Sequence, residues 1–327
     1  MLRKIDWENQ LGRRLRLHDL HVFFTVVQRG SMAKAAAHLG VSQPAVSEVI
    51  AGLEHALGVR LLDRSPQGVQ PTMYGRALLK GGTAAFDDLR QSIREIEFLA
   101  DPTAGELRIG CAETTASAVL PPLVQRFLQE YPRVALHVNN VVATAQQWRD
   151  LRERSLDLIL TRYVGFDGGE EDDLDIQTLF SDHLVIAAGR HNRWAHRTKI
   201  DLAELANEPW ILTPPQSYNS VILAEHFRAR GLTIPKASLT TFSVHLRANL
   251  LASGPFIAAF PGSVLRLNAD RFSLKALPVD LPDRPWPLCA VTLKNRTLSP
   301  VAQQFIDHVR ACAMSTVSAT APAQKTA

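Results

Sequence analysis

The stretch Ser31-Met-Ala-Lys-Ala-Ala-Ala-His-Leu-Gly-Val-Ser-Gln-Pro-Ala-Val-Ser47, which continues to Leu57, predicts two short helices joined by a tight turn. Ser31 and Ser42 stand where a hydroxyl can accept an unpaired backbone N–H at the start of each helix. Gly40 can adopt a positive φ after the first helix ends. Pro44 falls in the first turn of the second helix, where a missing N–H costs nothing. Turn and cap residues alone would also suit any small antiparallel helix pair.

The second helix of the pair has two unlike faces. Its apolar residues recur at steps of four, three and four, so they face inward together: Val46, Ile50, Leu53 and Leu57. The major groove of DNA admits one helix, and the first-turn residues of that helix reach the base edges. We therefore predict a DNA-reading helix-turn-helix whose candidate contacts are the polar residues at the helix starts: Ser31, Ser42, Gln43, Pro44, Ser47 and Glu48.

Four segments agree in unbroken register with one known domain: Gly30-Ser31 with Ala35-Ala36, Val41 to Ser47, Leu53-Glu54, and Leu57 to Arg64. Over roughly residues 17 to 75 the chain thus resembles the amino-terminal domain of the LysR-type transcriptional regulators. One position departs from the family pattern, which often has a basic residue or Gln after Ser47. Glu48 cannot hold a phosphate there, but it can accept a hydrogen bond from a cytosine N4 amine or simply face solvent.

The residues around the helix pair predict a winged helix-turn-helix over residues 17–75. Residues 17–29 form a first helix whose apolar stripe packs under the pair: Leu20, Phe23, Phe24 and Val27. Residues 59–63 predict a short strand, and residues 64–71 a Pro/Gly loop that forms the wing. Arg64 and Gln67 could touch the DNA backbone or minor groove from this loop, and a salt bridge at the base of the wing is an equal alternative for Arg64.

The charge is unevenly placed along the chain. Residues 1–80 carry 11 Lys and Arg against 6 Asp and Glu, a net +5, whereas the remainder carries 25 against 26, a net −1. The basic excess lies with the helix pair, where neutralising phosphates would require it, although an ordinary solvated basic surface would look the same. Residues 1–16 are basic and irregular. We expect them to form a flexible arm, or part of them to result from a translation start assigned too far upstream.

Residues 72–100 predict one long helix. Its apolar residues step by three and four in a coiled-coil pattern: Phe86, Leu89, Ile93, Ile96 and Ala100. Gly81 and Gly82 weaken the helix by about 1 kcal/mol each relative to Ala, so packing against a core is an alternative to pairing. In the resembled family this helix joins two subunits, which implies a homodimer or homotetramer whose two reading helices match a two-fold operator.

After a break at residues 101–105, strands and helices alternate, which predicts an α/β fold with largely parallel sheets. The expected strands are 107–110, 134–139, 156–161, 183–188, 210–212, 256–260 and 288–293. The expected helices are 117–131, 145–154, 201–206, 219–231, 243–252 and one that starts at Ser299. Residues 315–327, rich in Ser, Thr and Ala, predict a disordered tail.

Element order and two segments, Leu107-Arg-Ile-Gly110 and Phe256-Ile-Ala-Ala-Phe-Pro261, resemble the effector domain of the same family, which has the fold of type 2 periplasmic binding proteins. This resemblance implies an effector domain over residues 104–314 with two α/β lobes. Lobe I would comprise 104–162 and 286–314, and lobe II 163–285. The hinge would be crossed near 161–164 and near 282–287, with the ligand cleft between the lobes.

Such a cleft lies where strands end and helices begin, because unpaired N–H groups there attract acceptors. The candidate effector-binding residues are Glu113, Thr114, Thr115, Arg162, Thr213, Ser217, Ser243 and His245. Each Ser or Thr is as readily explained as a plain helix cap. Glu113 is informative because a carboxylate competes with an anionic ligand. It suits a hydroxyl-rich or amine-bearing effector, or else pairs with Arg162.

Other function classes lack the residues that they need. The sequence has no phosphate-binding loop, no Gly-x-Ser-x-Gly motif and no pair of residues at the spacing typical of metal ligands. We therefore predict no enzyme activity, no bound metal and no cofactor. His191 and His196 fall in a polar loop and predict solvated side chains. A solute-binding protein or an enzyme on the same two-lobed fold remains the alternative, but it would leave the first hundred residues without a purpose.

Three scattered cysteines and the lack of an apolar leader or an 18-residue apolar run fit a cytoplasmic protein without a membrane span. At 327 residues, 46% hydrophobic and 21% charged, the chain is long enough for two or three globular domains. We therefore predict a regulator that binds double-stranded promoter or operator DNA and a small-molecule effector, with RNA polymerase as a further expected partner.

Overall fold

The computed structural model describes residues 15–65, 68–140, 144–163, 171–282 and 286–318 of the chain. These residues form two compact units that divide between Arg90 and Gln91. The predicted basic arm before residue 15, Gln67 of the wing, and residues 319–327 of the predicted tail lie outside the described ranges. No helix within those ranges has an apolar run long enough to cross a membrane.

The first unit combines three short helices, a hairpin and the start of a long helix. In chain order these are α1 (Leu17–Arg29), α2 (Met32–Leu39), α3 (Gln43–Leu57), β1 (Leu62–Ser65), β2 (Gly68–Pro71) and α4 (Met73–Ala100). β1 and β2 pair antiparallel, with Arg64 opposite Val69. The predicted strand at 59–63 and loop at 64–71 were therefore wrong in their boundaries, since backbone pairing across the turn makes most of that loop strand.

The apolar faces of α1, α2 and α3 meet in one core. Val46, Ile50 and Leu53 of α3 are buried as predicted. On α1 the buried apolar set is Leu20, Val22, Phe23 and Val26, which is wider than the predicted stripe, while Phe24 and Val27 are only half-buried. The predicted stripe does pack against the core, but it was incomplete, because α1 is covered on more than one side and its inward face exceeds a single stripe.

The long helix α4 begins in the first unit and continues into the second. Gly82 has a packing reason, because a Cβ there would lie 2.4 Å from the ring of Phe24. Of the predicted coiled-coil face, Phe86 is half-buried and packs edge-on against Phe24. The rest is uncovered in the single chain: Leu89, Ile93 and Ile96 are between 44% and 66% exposed, and Ala100 is exposed. Leu99, next to this face, is 74% exposed.

The second unit is an α/β structure. In chain order its elements are β3 (Ala104–Cys111), α5 (Glu113–Ala118), α6 (Leu120–Glu130), β4 (Arg133–Asn140), α7 (Thr144–Arg152), β5 (Leu158–Arg162), β6 (Leu174–Phe180), β7 (Leu184–Gly189), β8 (Trp210–Leu212), α8 (Tyr218–Ala229), β9 (Ala237–Thr240), α9 (Val244–Ser253), β10 (Ile257–Pro261), α10 (Gly262–Phe272), β11 (Leu274–Ala276), β12 (Leu288–Leu293) and α11 (Pro300–Ser318). Two 3₁₀ turns, Arg193–His196 and Leu202–Leu205, precede β8.

Two five-stranded sheets organise this unit into two lobes. The strand order is β4-β3-β5-β12-β6 in lobe I and β11-β7-β10-β8-β9 in lobe II. In lobe I, β3 pairs in parallel with β4 and β5, but β12 pairs antiparallel with β5 and β6. In lobe II, β8 pairs in parallel with β9 and β10, but β7 pairs antiparallel with β10 and β11. The expectation of largely parallel sheets was wrong, since both sheets are mixed.

The lobe boundaries also differ from the prediction. β6 pairs with β12 in the lobe I sheet, so the first crossing lies at residues 181–183 and not near 161–164. The second crossing precedes β12, and the backbone N–H of Trp286 donates to the carbonyl of Asp182 at 2.7 Å. The two crossings therefore run side by side. At the carboxyl end, α11 continues to Ser318, beyond the boundary predicted at 314.

Candidate DNA-reading helix and interlobe cleft

The turn between α2 and α3 has the geometry that its sequence predicts. Gly40 adopts a left-handed conformation with φ of 68°, and the Ser42 hydroxyl accepts from the backbone N–H of Ala45 at 3.4 Å. Ser31 stands at the cap position of α2, but its side chain accepts no helix N–H. The predicted capping by the Ser31 hydroxyl was therefore wrong, and the carbonyl of Ser31 instead accepts from Ala35 at 3.0 Å.

The amino end of α3 presents polar side chains that the fold does not use. Gln43, Pro44 and Glu48 are exposed, and Ser47 is half-buried. Within the described part of the chain, Gln43, Ser47 and Glu48 form no side-chain hydrogen bond or ion pair. These side chains are available to an external partner, as a reading helix requires.

Glu54 links α3, the candidate DNA-reading helix (called the reading helix below), to the wing. Its Oε1 accepts from the backbone N–H of Leu61 at 2.8 Å and from that of Leu62 at 3.2 Å. On the other side of the hairpin, the N–H of Val69 donates to the carbonyl of Gly30 at 2.9 Å. The wing is therefore held at both strands against the helix pair.

Arg64 lies on β1 of the wing and is exposed. No described residue forms an ion pair with it, so the alternative of a salt bridge at the base of the wing finds no support among them. Its charge adds to those of other exposed cations in this unit: Lys34, Arg60 and Arg76. Exposed positive charge in this unit suits contact with phosphate.

In the second unit, Glu113 bridges the two lobes. It begins α5 of lobe I, and its Oε2 accepts from the backbone N–H of Val244 at 3.0 Å, the first residue of α9 in lobe II. Burial raises the pKa of Glu113, although the Val244 bond and the nearby Arg247 charge oppose the shift. The pairing of Glu113 with Arg162 that the sequence left open does not occur.

Arg162 instead pairs with Asp182 at the first crossing. Its Nη2 donates to Asp182 Oδ2 at 3.0 Å and to the Ser263 hydroxyl of α10 at 2.8 Å, while its guanidinium lies over the Trp286 ring, 5.4 Å from the centroid. Burial alone would raise the pKa of Asp182, but the Arg162 charge and the Ser263 bonds hold it below its usual range. Arg162 thus takes part in the hinge through Nε and Nη2.

The other predicted cleft residues fall into two groups. Most are engaged within the fold: Thr213 Oγ1 lies 2.6 Å from Ser217 Oγ and 2.9 Å from Ser220 Oγ, and Ser217 and Ser243 cap α8 and α9. The side chains of Thr114, His245 and Thr115 are less engaged in hydrogen bonds. Thr114 is half-buried and His245 is exposed, while Thr115 is 1% exposed with a hydroxyl that has no partner.

Arg247 of α9 is a buried cation that the sequence analysis missed. Its side chain is fully buried, Nη1 donates to the carbonyl of Ala259 at 3.1 Å, and Nε and Nη2 have no hydrogen-bond partner. A sequence signal existed, since Arg247 shares the inward face of α9 with Val244 and Leu251, three residues before and four residues after it. Asp182 offered no such signal, because its partner Arg162 is 20 residues away.

A separate cavity of about 410 Å³ opens between α6, α10 and α11. Leu123, Phe180, Leu267 and Val309 contribute to its largely apolar wall, and Arg126 and Arg266 add two cations. None of the predicted effector-binding residues lines it. Among the described residues, no group of three or more His, Cys, Asp or Glu side chains is placed to hold a metal ion.

Comparison with known proteins assigns both units. The family model described as "Bacterial regulatory helix-turn-helix protein, lysR family" matches residues 17–76, and the "LysR substrate binding domain" matches residues 100–313. The transcriptional regulator YdcI of Escherichia coli (strain K12) is 25% identical over 303 residues, which span 91% of this chain and 96% of YdcI.

Solved structures share the fold. A full-length OxyR variant from Pseudomonas aeruginosa is 20% identical with a TM-score of 0.63, covering 90% of this chain and 95% of OxyR. Full-length CbnR in complex with its target DNA is 24% identical with a TM-score of 0.52, covering 91% of this chain and 100% of CbnR. With both of its domains matched, the chain belongs to the LysR family of bacterial transcription regulators, with a helix-turn-helix DNA-binding domain followed by an effector-binding domain.

Proposed function

We propose that this regulator reads a two-fold operator through the amino end of α3 and that a small molecule bound between the two lobes controls that reading. The observation that carries the DNA half is the set of unengaged polar side chains at Gln43, Ser47 and Glu48. These residues stand on a helix that Ser42 caps and Glu54 fixes to the wing. In this proposal residues 17–75 read DNA, residues 72–100 pair two chains, and residues 104–314 bind the effector.

Pairing of two chains follows from the uncovered face of α4. Leu89, Ile93, Ile96 and Leu99 form an apolar stripe that no described part of the chain covers. Large apolar stripes of this kind mark association surfaces in soluble proteins. A homodimer through α4, or a homotetramer built from two such pairs, sets two α3 helices against successive major grooves. Such assemblies can recruit RNA polymerase once they are bound beside a promoter.

The effector site is proposed between lobes I and II, at the start of α5 and α9. Glu113, Thr114 and Thr115 face this region from lobe I, while Ser243 and His245 do so from lobe II, with Thr213 and Ser217 at the end of β8. Cross-lobe contacts here are polar and direct, as in the Glu113 bond to Val244. A ligand that replaces such contacts changes how the lobes close, and a differential affinity for one arrangement biases the oligomer.

On this account the protein binds and switches without catalysing a reaction, and it acts in the cytoplasm, where its DNA is. The test is selection of genomic fragments by the full-length chain, followed by titration of an enriched fragment at several salt concentrations. We expect enrichment of fragments with two related half-sites and a steep fall in affinity as salt rises. Fragments bound without any shared sequence would contradict the proposed reading function.

A further inference from the structure

The Arg247 guanidinium is charged and buried, and two of its three nitrogens have no hydrogen-bond partner. Burial lowers its pKa to about 10, with the Glu113 charge opposing the shift, so the guanidinium stays cationic at neutral pH. Of its hydrogen-bonding nitrogens, only Nη1 has a partner, the carbonyl of Ala259. Nε and Nη2 have none. Buried donors left unpaired are uncommon in native proteins and call for an explanation such as an absent ion or ligand.

No carboxylate among the described residues forms an ion pair with this cation. Glu113 is near enough to attract it, but its Oε2 is used by the Val244 N–H, and no ion pair joins Glu113 to Arg247 among the described residues. The Phe260 ring lies 4.3 Å from the guanidinium carbon and cannot accept the remaining N–H groups in their plane. Nε and Nη2 are adjacent donors on a planar fork, the arrangement that binds a carboxylate through two parallel hydrogen bonds.

The position of Arg247 matches the proposed effector site. It lies one turn into α9, whose first backbone N–H, that of Val244, donates to Glu113 of lobe I. Asn219 of α8 donates to the same Ala259 carbonyl at 2.9 Å, and its own Oδ1 has no partner. Thr115 of lobe I adds a buried hydroxyl without a partner. Polar groups without partners thus occur on both sides of the interlobe boundary.

We infer that Arg247 anchors the effector and that the effector is a small carboxylic acid whose carboxylate takes the Nε and Nη2 donors when the lobes separate to admit it. This inference rests on the proposed function, because it names the ligand class of the same cleft. The sequence alone predicts that Glu113 disfavours an anionic ligand, but Arg247 places an unpaired positive charge beside it, which one carboxylate can offset. A phosphate dianion fits less well, since the Glu113 carboxylate disfavours a second negative charge. Asn219 Oδ1 and the Thr115 hydroxyl supply polar contacts for hydroxyl or amine groups on the same molecule.

The test measures thermal unfolding of the full-length chain in increasing acetate and formate, with acetamide and formamide plus equal sodium chloride as references. For the wild-type chain we expect a saturable rise in Tm of about 2–4 °C with the acids only. In Arg247→Met and Arg247→Gln this rise should vanish. In Arg228→Met, which removes an exposed arginine of α8, it should remain.

The ligand-free variants separate an anchor from a structural residue. An apolar side chain in place of a buried charge that lacks an ion pair removes the cost of keeping that charge out of water, and Asn219 still satisfies the Ala259 carbonyl. Ligand-free Arg247→Met should therefore melt at or above the wild-type Tm. A saturable rise that persists in both Arg247 variants, its absence from the wild-type chain, or a lowered Tm for ligand-free Arg247→Met would overturn the inference. DNA titrations on the same preparations report separately on the proposed function, which stands if the wild-type chain binds its selected DNA.

Discussion

Replacing Glu54 by Ala should detach the wing from the reading helix. The Glu54 carboxylate accepts two backbone N–H groups, those of Leu61 and Leu62, and both residues are buried. Alanine removes the acceptor and leaves two buried donors without partners. Because the geometry of the wing depends on this interaction, we expect both the stability of the first unit and its affinity for DNA to fall.

The size of the effect follows from the two bonds. Each buried donor that loses its partner costs about 1–3 kcal/mol, and because Glu54 itself is only half-buried, water can partly replace it. We therefore expect a loss of about 2–4 kcal/mol in the free energy of unfolding. For a unit of this size, that loss lowers Tm by roughly 10–20 °C.

Calorimetry of the full-length chain gives the measurement, with DNA titration on the same sample. Glu54→Gln is the matched variant, because an amide oxygen can still accept, and it should lose less than about half of that stability. Glu48→Ala on the same helix removes an exposed carboxylate with no described partner and should leave Tm unchanged. If Glu54→Ala melts within about 1 °C of the wild-type chain, the proposed link between wing and reading helix is wrong.

Three further outcomes are expected. Asp157→Asn should lower the free energy of unfolding in urea by about 3–5 kcal/mol. Arg108 and Arg296 each donate to Asp157 at 2.8 Å, and both would lose their charged partner. Burial alone would raise the pKa of Asp157, but bonds from Arg108 and the Arg108 and Arg296 charges hold it below its usual value. The stabilisation by ionised Asp157 is therefore present above about pH 4 and is lost as pH falls through the lowered pKa. Between about pH 6 and pH 2, the free energy of unfolding of Asp157→Asn should change less with pH than that of the wild-type chain. An equal pH dependence in the two proteins would refute this. Ile93→Glu should dissociate the oligomer in sedimentation, and an unchanged mass would show that α4 is not the pairing surface. Glu113→Gln keeps an acceptor for Val244 and removes a charge that burial disfavours, since the pKa of Glu113 is raised; Tm at neutral pH should therefore stay the same or rise slightly, and a fall of several degrees would instead indicate a full ion pair.

Local features of the DNA-binding unit were predictable because they depend on neighbours in the sequence. The cap at Ser42, the left-handed Gly40 and the inward face of α3 each follow from residues within one or two helical turns. Ser31 shows the limit of such reasoning, since the residue type predicted a side-chain cap that the hydroxyl does not make. The second strand of the wing was missed because Gly68 to Pro71 carries no alternating pattern, and only pairing with β1 makes it a strand.

Long-range pairing explains what the sequence could not predict in the second unit. The family resemblance predicted two lobes, but no strand was predicted over β6 and its residues were placed in lobe II, because its position depends on antiparallel pairing with β12, more than a hundred residues later. The partners of Arg162, Asp182 and Ser263, could not be predicted, because they lie 20 and 101 residues away along the chain. Arg247 was overlooked although a charged residue on an apolar helix face is a visible signal.

The central claim is that the amino end of α3 reads base sequence. Its most direct test is the affinity of the Gln43→Ala, Ser47→Ala double variant for a fragment selected by the wild-type chain and for unrelated DNA, at one fixed salt concentration. We predict weaker binding to the selected fragment, by about 1–3 kcal/mol for each base that the variant no longer hydrogen-bonds. Unrelated DNA should be bound as before, with an unchanged Tm and oligomeric state. Equal affinity of the variant and the wild-type chain for the selected fragment would contradict the claim.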